Sequence, residues 1–152
     1  MDALERLVAL QDIRDLVVTY AMAFDDRDWD RLGTIWTEDA SWVGPGHSFD
    51  GRDALMEFMR TCLPEDYESK HMNPQTLVQF AEDGQSAVVD TDVVWIAQNF
   101  ENTILARYHD DMVKQDGRWL IKRREEIPID FKAGPPPMSD TAMAVSAGTL
   151  KE

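Results

Sequence analysis

The chain has 152 residues, 43% hydrophobic and 29% charged, with one cysteine and a formal net charge of −14. That length suits a single domain with a real core, and so acidic a surface disfavours nucleic acid and anionic membranes as partners. Cys62 alone can form neither an intramolecular disulfide nor a structural zinc site, and with acids at Asp2 and Glu5 and no spanning apolar run, a cytoplasmic protein is expected.

From Leu4 to Phe24 the apolar residues Leu4, Leu7, Val8, Leu10, Ile13, Leu16, Val17, Tyr20, Ala21 and Phe24 recur at steps of three and four. This spacing predicts one long helix with a buried face, capped at its start by Asp2 and roughly 30 Å long. The chain then turns through Asp25–Asp28. Asp28 is the expected N-cap of a short helix carrying Trp29, Leu32 and Trp36. A brief strand is predicted at 40–43, a Gly/Pro-rich loop at 44–51, and a third helix at 51–63 with Leu55, Phe58, Met59 and Cys62 on its apolar face. Pro64 follows the end of that helix.

From Lys70 onward the composition turns to β-branched and aromatic residues. The turn sequences "EDG" (82–84) and "QDG" (115–117) separate runs of strand character. In one run Ala87, Val89, Thr91, Val93, Trp95 and Ala97 alternate with Val88, Asp90, Asp92, Val94 and Ile96, so one face is apolar. Helices first and a β meander afterwards make the class α+β. Residues 1–132 read as one domain and 133–152 as a Pro-initiated tail of small residues.

Two long stretches carry a more specific resemblance. "IRDLVVTYAMAFDDRDWDRLGTIWTEDASW" (13–42) combines a helix, an Asp, a "DWDRL" turn and "WTEDA" leading into a strand. "GRDAL", "KHMNPQTLVQF", "AVVDTDV" and "DGRWLIKRREE" follow in order. Over residues 4–131 this resembles the SnoaL-like and scytalone dehydratase-like proteins of the nuclear transport factor 2-like superfamily. The resemblance implies a cone-shaped α+β barrel, with a long N-terminal helix and two shorter ones packed on a curved, mostly antiparallel sheet. It also implies a homo-oligomer, either dimer or trimer.

Dehydratases and dehydrochlorinases of that family pair an Asp at the end of the first helix with a His on the first long strand. Carried over, these positions are Asp25 and His71. Where the dehydratase has a Tyr before its Asp, this chain has Phe24. Where the dehydrochlorinase has a Lys five positions before its Asp, it has Tyr20. A His base held by an Asp on its other ring nitrogen suits proton abstraction next to a carbonyl or a leaving group. The expected function is therefore a cofactor-independent lyase or isomerase, by dehydration, other elimination or proton transfer, acting on a small cyclic or polyketide-like molecule. No dinucleotide fingerprint, P-loop or HExxH motif appears, so neither cofactor nor metal is expected.

Tyr20, Phe24, Trp42 and Trp95 are candidate substrate contacts. Arg123 and Arg124 have opposite strand parity, and Arg124 is the one taken to face the cone and steady an oxyanion. Plainer readings stand beside these: Asp25 as a turn residue, His47 as a surface residue of its loop, and His109 with Asp110 and Asp111 as a solvated strand edge. Two further readings remain open. In one, Asp25 itself is the base, as in ketosteroid isomerase. In the other, the chain is a non-catalytic ligand-binding or assembly module, like the small subunit of ring-hydroxylating dioxygenases.

Overall fold

The computed structural model describes residues 1–97 and 102–132, so the tail predicted at 133–152 lies outside the described residues. Helix α1 (Ala3–Asp25) opens with a reciprocal cap. The Asp2 carboxylate accepts from the Glu5 amide and the Glu5 carboxylate accepts from the Asp2 amide, each at 2.8 Å, which satisfies two donors that a helix start leaves free. The buried stripe of α1 runs through Ala9, Ile13, Leu16, Val17, Tyr20, Ala23 and Phe24.

Leu4, Leu7 and Val8 were expected on that stripe but are 71%, 63% and 53% exposed. Stepping back from Ala9 by three or four residues reaches Arg6, Glu5 and Asp2, so the three apolar residues fall on another flank. On the line of the stripe stands Arg6, itself exposed, whose guanidinium lies 4.9 Å from the centre of the Phe80 ring.

Helix α2 (Trp29–Gly33) begins where the Asp28 carboxylate accepts from the Arg31 amide at 3.1 Å. It stops at Gly33, one turn earlier than predicted, and Trp36 starts strand β1 (Trp36–Gly44) instead. There Trp36 stands opposite Ile121 in a parallel ladder, and this pairing overrides the helical spacing of Trp29, Leu32 and Trp36. The predicted loop at 44–51 is also corrected. Pro45 and Gly46 form a two-residue turn, with Gly46 at φ +79°, and β2 (His47–Asp50) folds back on β1 with Gly44 facing His47. Helix α3 (Arg52–Thr61) buries Leu55, Met56, Phe58 and Met59.

Four long strands follow: β3 (Ser69–Phe80), β4 (Ser86–Ala97), β5 (Asn102–Gln115) and β6 (Arg118–Lys132). With β1 and β2 they make one six-stranded sheet in the order β2-β1-β6-β5-β4-β3. Only β1 and β6 run parallel. The β4 alternation is as predicted, with Ala87, Val89, Thr91, Val93, Trp95 and Ala97 all buried.

Register breaks lie between Met72 and Gln75 on β3, and at Leu105/Ala106 and Asp111/Met112 on β5. Such irregularities bend strands and raise local twist, so the sheet curls. The first break carries Pro74 on the edge strand, where a missing amide costs least. Helix α1 lies in the curl against β3 and β6, giving the mixed, curled sheet of the cone-shaped α+β fold. No helix among the described residues is long and apolar enough to cross a membrane.

Candidate active site

Asp25 is the last residue of α1, where a negative charge meets the negative end of the helix dipole. Hydrogen bonding offsets that placement. The His71 main-chain amide donates to Asp25 Oδ2 at 2.8 Å, and the His71 ring meets Oδ1 through Nδ1 at 2.7 Å. Because β3 is the sheet edge, the His71 amide is free of the β4 ladder and can turn to the helix end. Both side chains are nearly sealed, 3% exposed for Asp25 and 5% for His71.

Neighbouring residues fix this meeting. Arg27, at φ +56°, sends Nη2 to the carbonyls of Pro64 at 2.6 Å and Tyr67 at 3.1 Å, tying the connection after α3 to the end of α1. Asn73 Nδ2 donates to the Val17 carbonyl at 3.4 Å. A carboxylate accepting at Nδ1 selects the tautomer whose lone pair is on Nε2, the nitrogen remote from Asp25.

His71 is part of the wall of a cavity of about 360 Å³. Phe24, Trp42, Phe58, Leu63, Val93, Trp95, Ile104 and Ala106 supply its apolar lining. The His71 ring sits edge-on to Phe24 at 5.3 Å and to Tyr20 at 5.6 Å between centroids. Asp25 does not line this cavity; it stands behind His71. Polar groups at the wall come from Tyr20, Tyr108, His47, Cys62 and Glu126. Burial pushes the Tyr20 hydroxyl and the Cys62 thiol each up to about 12 and lifts Tyr108 well above its ordinary value. All three are therefore neutral near pH 7. Burial also holds His47 below the usual imidazole value.

Arg124 lies outside the lining, unlike the expectation of a direct substrate contact. Its side chain is fully buried and grips Asp110 with two bonds, Nε to Oδ1 at 2.8 Å and Nη2 to Oδ2 at 2.7 Å. The guanidinium stacks 4.1 Å from the Tyr20 ring centre and 4.0 Å from that of Tyr108. Those two phenols lie between the Arg124 charge and the cavity. A buried charge needs partners of this quality, because the low-dielectric interior makes an uncompensated ion costly.

Of the residues singled out in the sequence, Tyr20, Phe24, Trp42, His71 and Trp95 therefore share one cavity, with Asp25 directly behind it. Two readings change. His47, taken as a surface residue, lines the cavity and packs its ring 5.1 Å from Phe58. Asp110, taken as part of a solvated edge, is the fully buried partner of Arg124. His109 does face outward, half-exposed, with Nδ1 2.7 Å from Asp90. Glu126 was not singled out at all. The parity that marked Arg124 as inward, carried two residues further, would have found it.

Residues 5–125 match the SnoaL-like domain family, and the chain belongs to that family. The γ-hexachlorocyclohexane dehydrochlorinase of Sphingobium indicum is 26% identical over 129 residues, which cover 82% of this chain and 83% of that protein. Among solved structures, a type 2 hexachlorocyclohexane dehydrochlorinase superposes with a TM-score of 0.79 at 23% identity, covering 90% of this chain and 97% of that one. A candidate scytalone dehydratase from Novosphingobium aromaticivorans gives a TM-score of 0.75 at 22% identity, covering 89% and 93%. These likenesses establish the cone-shaped fold of the nuclear transport factor 2-like proteins.

Proposed function

Starting from a SnoaL-like chain with an open apolar cavity, we propose that the protein is a cofactor-independent lyase or isomerase acting on a small cyclic or polyketide-like molecule. His71 is the general base, taking a proton from substrate carbon through Nε2. Asp25 is the positioning residue, holding the tautomer and stabilising the imidazolium that forms. The observation that carries this reading is the buried 2.7 Å contact between His71 Nδ1 and Asp25 Oδ1 at the wall of a cavity that is mostly apolar. Apolar walls strengthen the interaction and keep competing water away from the reacting atoms. The similarity to a dehydrochlorinase, an enzyme of elimination by its name, supports the same class.

The rival readings fit less well. Asp25 as the base itself would need a carboxylate oxygen in the cavity, yet both oxygens are engaged by His71. A non-catalytic ligand-binding or assembly module would also have use for the cavity, but it has no need of a carboxylate held on the far ring nitrogen of an imidazole at the cavity wall.

The test is turnover of a panel of cyclic hydroxy- and halo-substituted ketones, followed by the absorbance of the new double bond. Asp25→Asn and His71→Ala are each expected to lower kcat/KM by about 10²–10⁴-fold. An active wild type that keeps its rate in both variants overturns the reading. The pH–rate profile is a second test, because imidazole and carboxylate bases ordinarily titrate in different ranges.

A further inference from the structure

Glu126 is the one carboxyl group on the cavity wall, and among the described residues it makes no hydrogen bond or salt bridge. The nearby cation, Arg124, spends Nε and Nη2 on the two oxygens of Asp110 and is covered by the Tyr20 and Tyr108 rings, and its buried Nη1 makes no hydrogen bond, to Glu126 or to any other described residue. Glu126 sits on β6 opposite Tyr108 of β5, while His71 is on β3. The row of Glu126 runs through Tyr108 and Thr91 to Thr76, whereas His71 shares a row with Trp95 and Ile104, so on the sheet the two residues are offset by three strand spacings and by four positions along β4 and β5. Curling of the sheet nevertheless brings both to the wall of the same cavity of about 360 Å³, and the Tyr20 ring joins the two sides, 5.6 Å from the His71 ring and 5.7 Å from that of Tyr108.

From this placement we propose that Glu126 is the acid of the site, giving a proton to a leaving hydroxyl, so that the substrate loses water rather than halide. The inference rests on His71 being the base. His71 Nε2 takes the proton from the carbon next to the activating carbonyl, and the C–H pair becomes the second bond of the new alkene. The C–O bond breaks with its electron pair on oxygen. The Glu126 carboxyl proton joins that oxygen, and water leaves. His71 is then an imidazolium and Glu126 a carboxylate; transfer of the extra proton from His71 to Glu126 through solvent restores both.

Hydroxide is a poor leaving group and needs that proton, whereas chloride departs as a stable anion and needs none. A chloride-releasing site would gain nothing from this carboxyl, and its ionised form would repel the departing anion. Burial raises the Glu126 carboxyl above its usual range even though the Arg124 charge acts in the opposite sense, which is the direction an acid working near neutral pH requires.

The deciding experiment compares a cyclic β-hydroxy ketone with its β-chloro analogue in wild type, Glu126→Gln and His71→Ala. Glu126→Gln is expected to slow loss of the hydroxyl by about a hundredfold or more, to remove one limb of the pH–rate profile, and to leave chloride release within about threefold. His71→Ala is expected to slow both. Equal slowing of the two substrates by Glu126→Gln, or slowing of neither, overturns the role of Glu126 while leaving the His71 reading intact. Rates unaffected by His71→Ala overturn that reading instead. Independently of any substrate, the Glu126 carboxyl resonance in the folded wild type, assigned against Glu126→Gln, is expected to titrate above the ordinary range for glutamate. Titration at or below that range also overturns the proposal.

Discussion

At the scale of single residues, three ionisable groupings are buried among the described residues: Asp25 against His71, Asp110 against Arg124, and Glu126, which makes no hydrogen bond there. The first two are held by short, paired hydrogen bonds, although Arg124 Nη1 is buried without a partner among the described residues. The third has a thermodynamic signature. An unfolded glutamate titrates near 4.5, and burial raises the value in the fold, so between the two values the folded state binds more protons than the unfolded state. Stability must then fall as pH rises from about 4.5 through the folded value. Glu126→Gln removes this loss. Its stability relative to wild type is expected to increase between pH 4.5 and pH 8 in urea denaturation; a constant difference across that range would deny the raised value. Asp25 and His71 were legible in the sequence through the resemblance of their surroundings to known proteins. Asp110 was not, because a carboxylate beside two polar neighbours reads as solvated until the strand carrying its arginine is laid beside it.

At the scale of elements, local sequence signals set most boundaries, and departures occur where tertiary pairing competes. The caps at Asp2 and Asp28 and the β4 alternation followed from residue type and period alone. The 115–117 turn did so too, with Asp116 at φ +49° and Gly117 at φ +79°, the two positive values that an Asp-Gly hairpin turn supplies. Gly117→Ala would meet no neighbouring atom, so its cost is conformational, about 1–2 kcal/mol. Gly33→Ala is equally free of contacts but has no positive φ. It is expected to stabilise by about 0.4–1 kcal/mol through the unfolded chain. Chemical denaturation of the two variants should therefore shift in opposite directions, and a shift of the same sign would refute the backbone explanation. Trp36 and the 44–51 hairpin were misread because their partners, Ile121 and β1, supply the hydrogen bonds that decide the conformation, and those partners are remote in sequence or hidden by a Gly/Pro-rich composition.

At the scale of the whole molecule, a cavity remains because the curled sheet and the three helices do not fill the cone. Ala106 tests whether that space serves a ligand: it lines the cavity and is itself buried. Ala106→Leu places more apolar surface in the empty space, a gain of about 25 cal/mol for each Å² removed from water. Thermal unfolding is expected at or above the wild-type midpoint, while kcat/KM falls at least tenfold. Unchanged turnover with a filled cavity would mean that the reaction happens elsewhere. The sequence by itself determined the α+β class, the succession of three helices and then the long strands, and the inward face of β4, because periodicity, caps and turn residues act over a few neighbouring positions; Asp25 and His71 were marked only by the resemblance of their surroundings to a known family. Only the tertiary structure decided that Asp25 stands behind His71 rather than on the cavity wall, that Arg124 is locked to Asp110, and that Glu126 is the one carboxyl group on that wall. Those facts depend on sheet order, register shifts and curvature, which bring together residues tens of positions apart and leave no trace in local spacing.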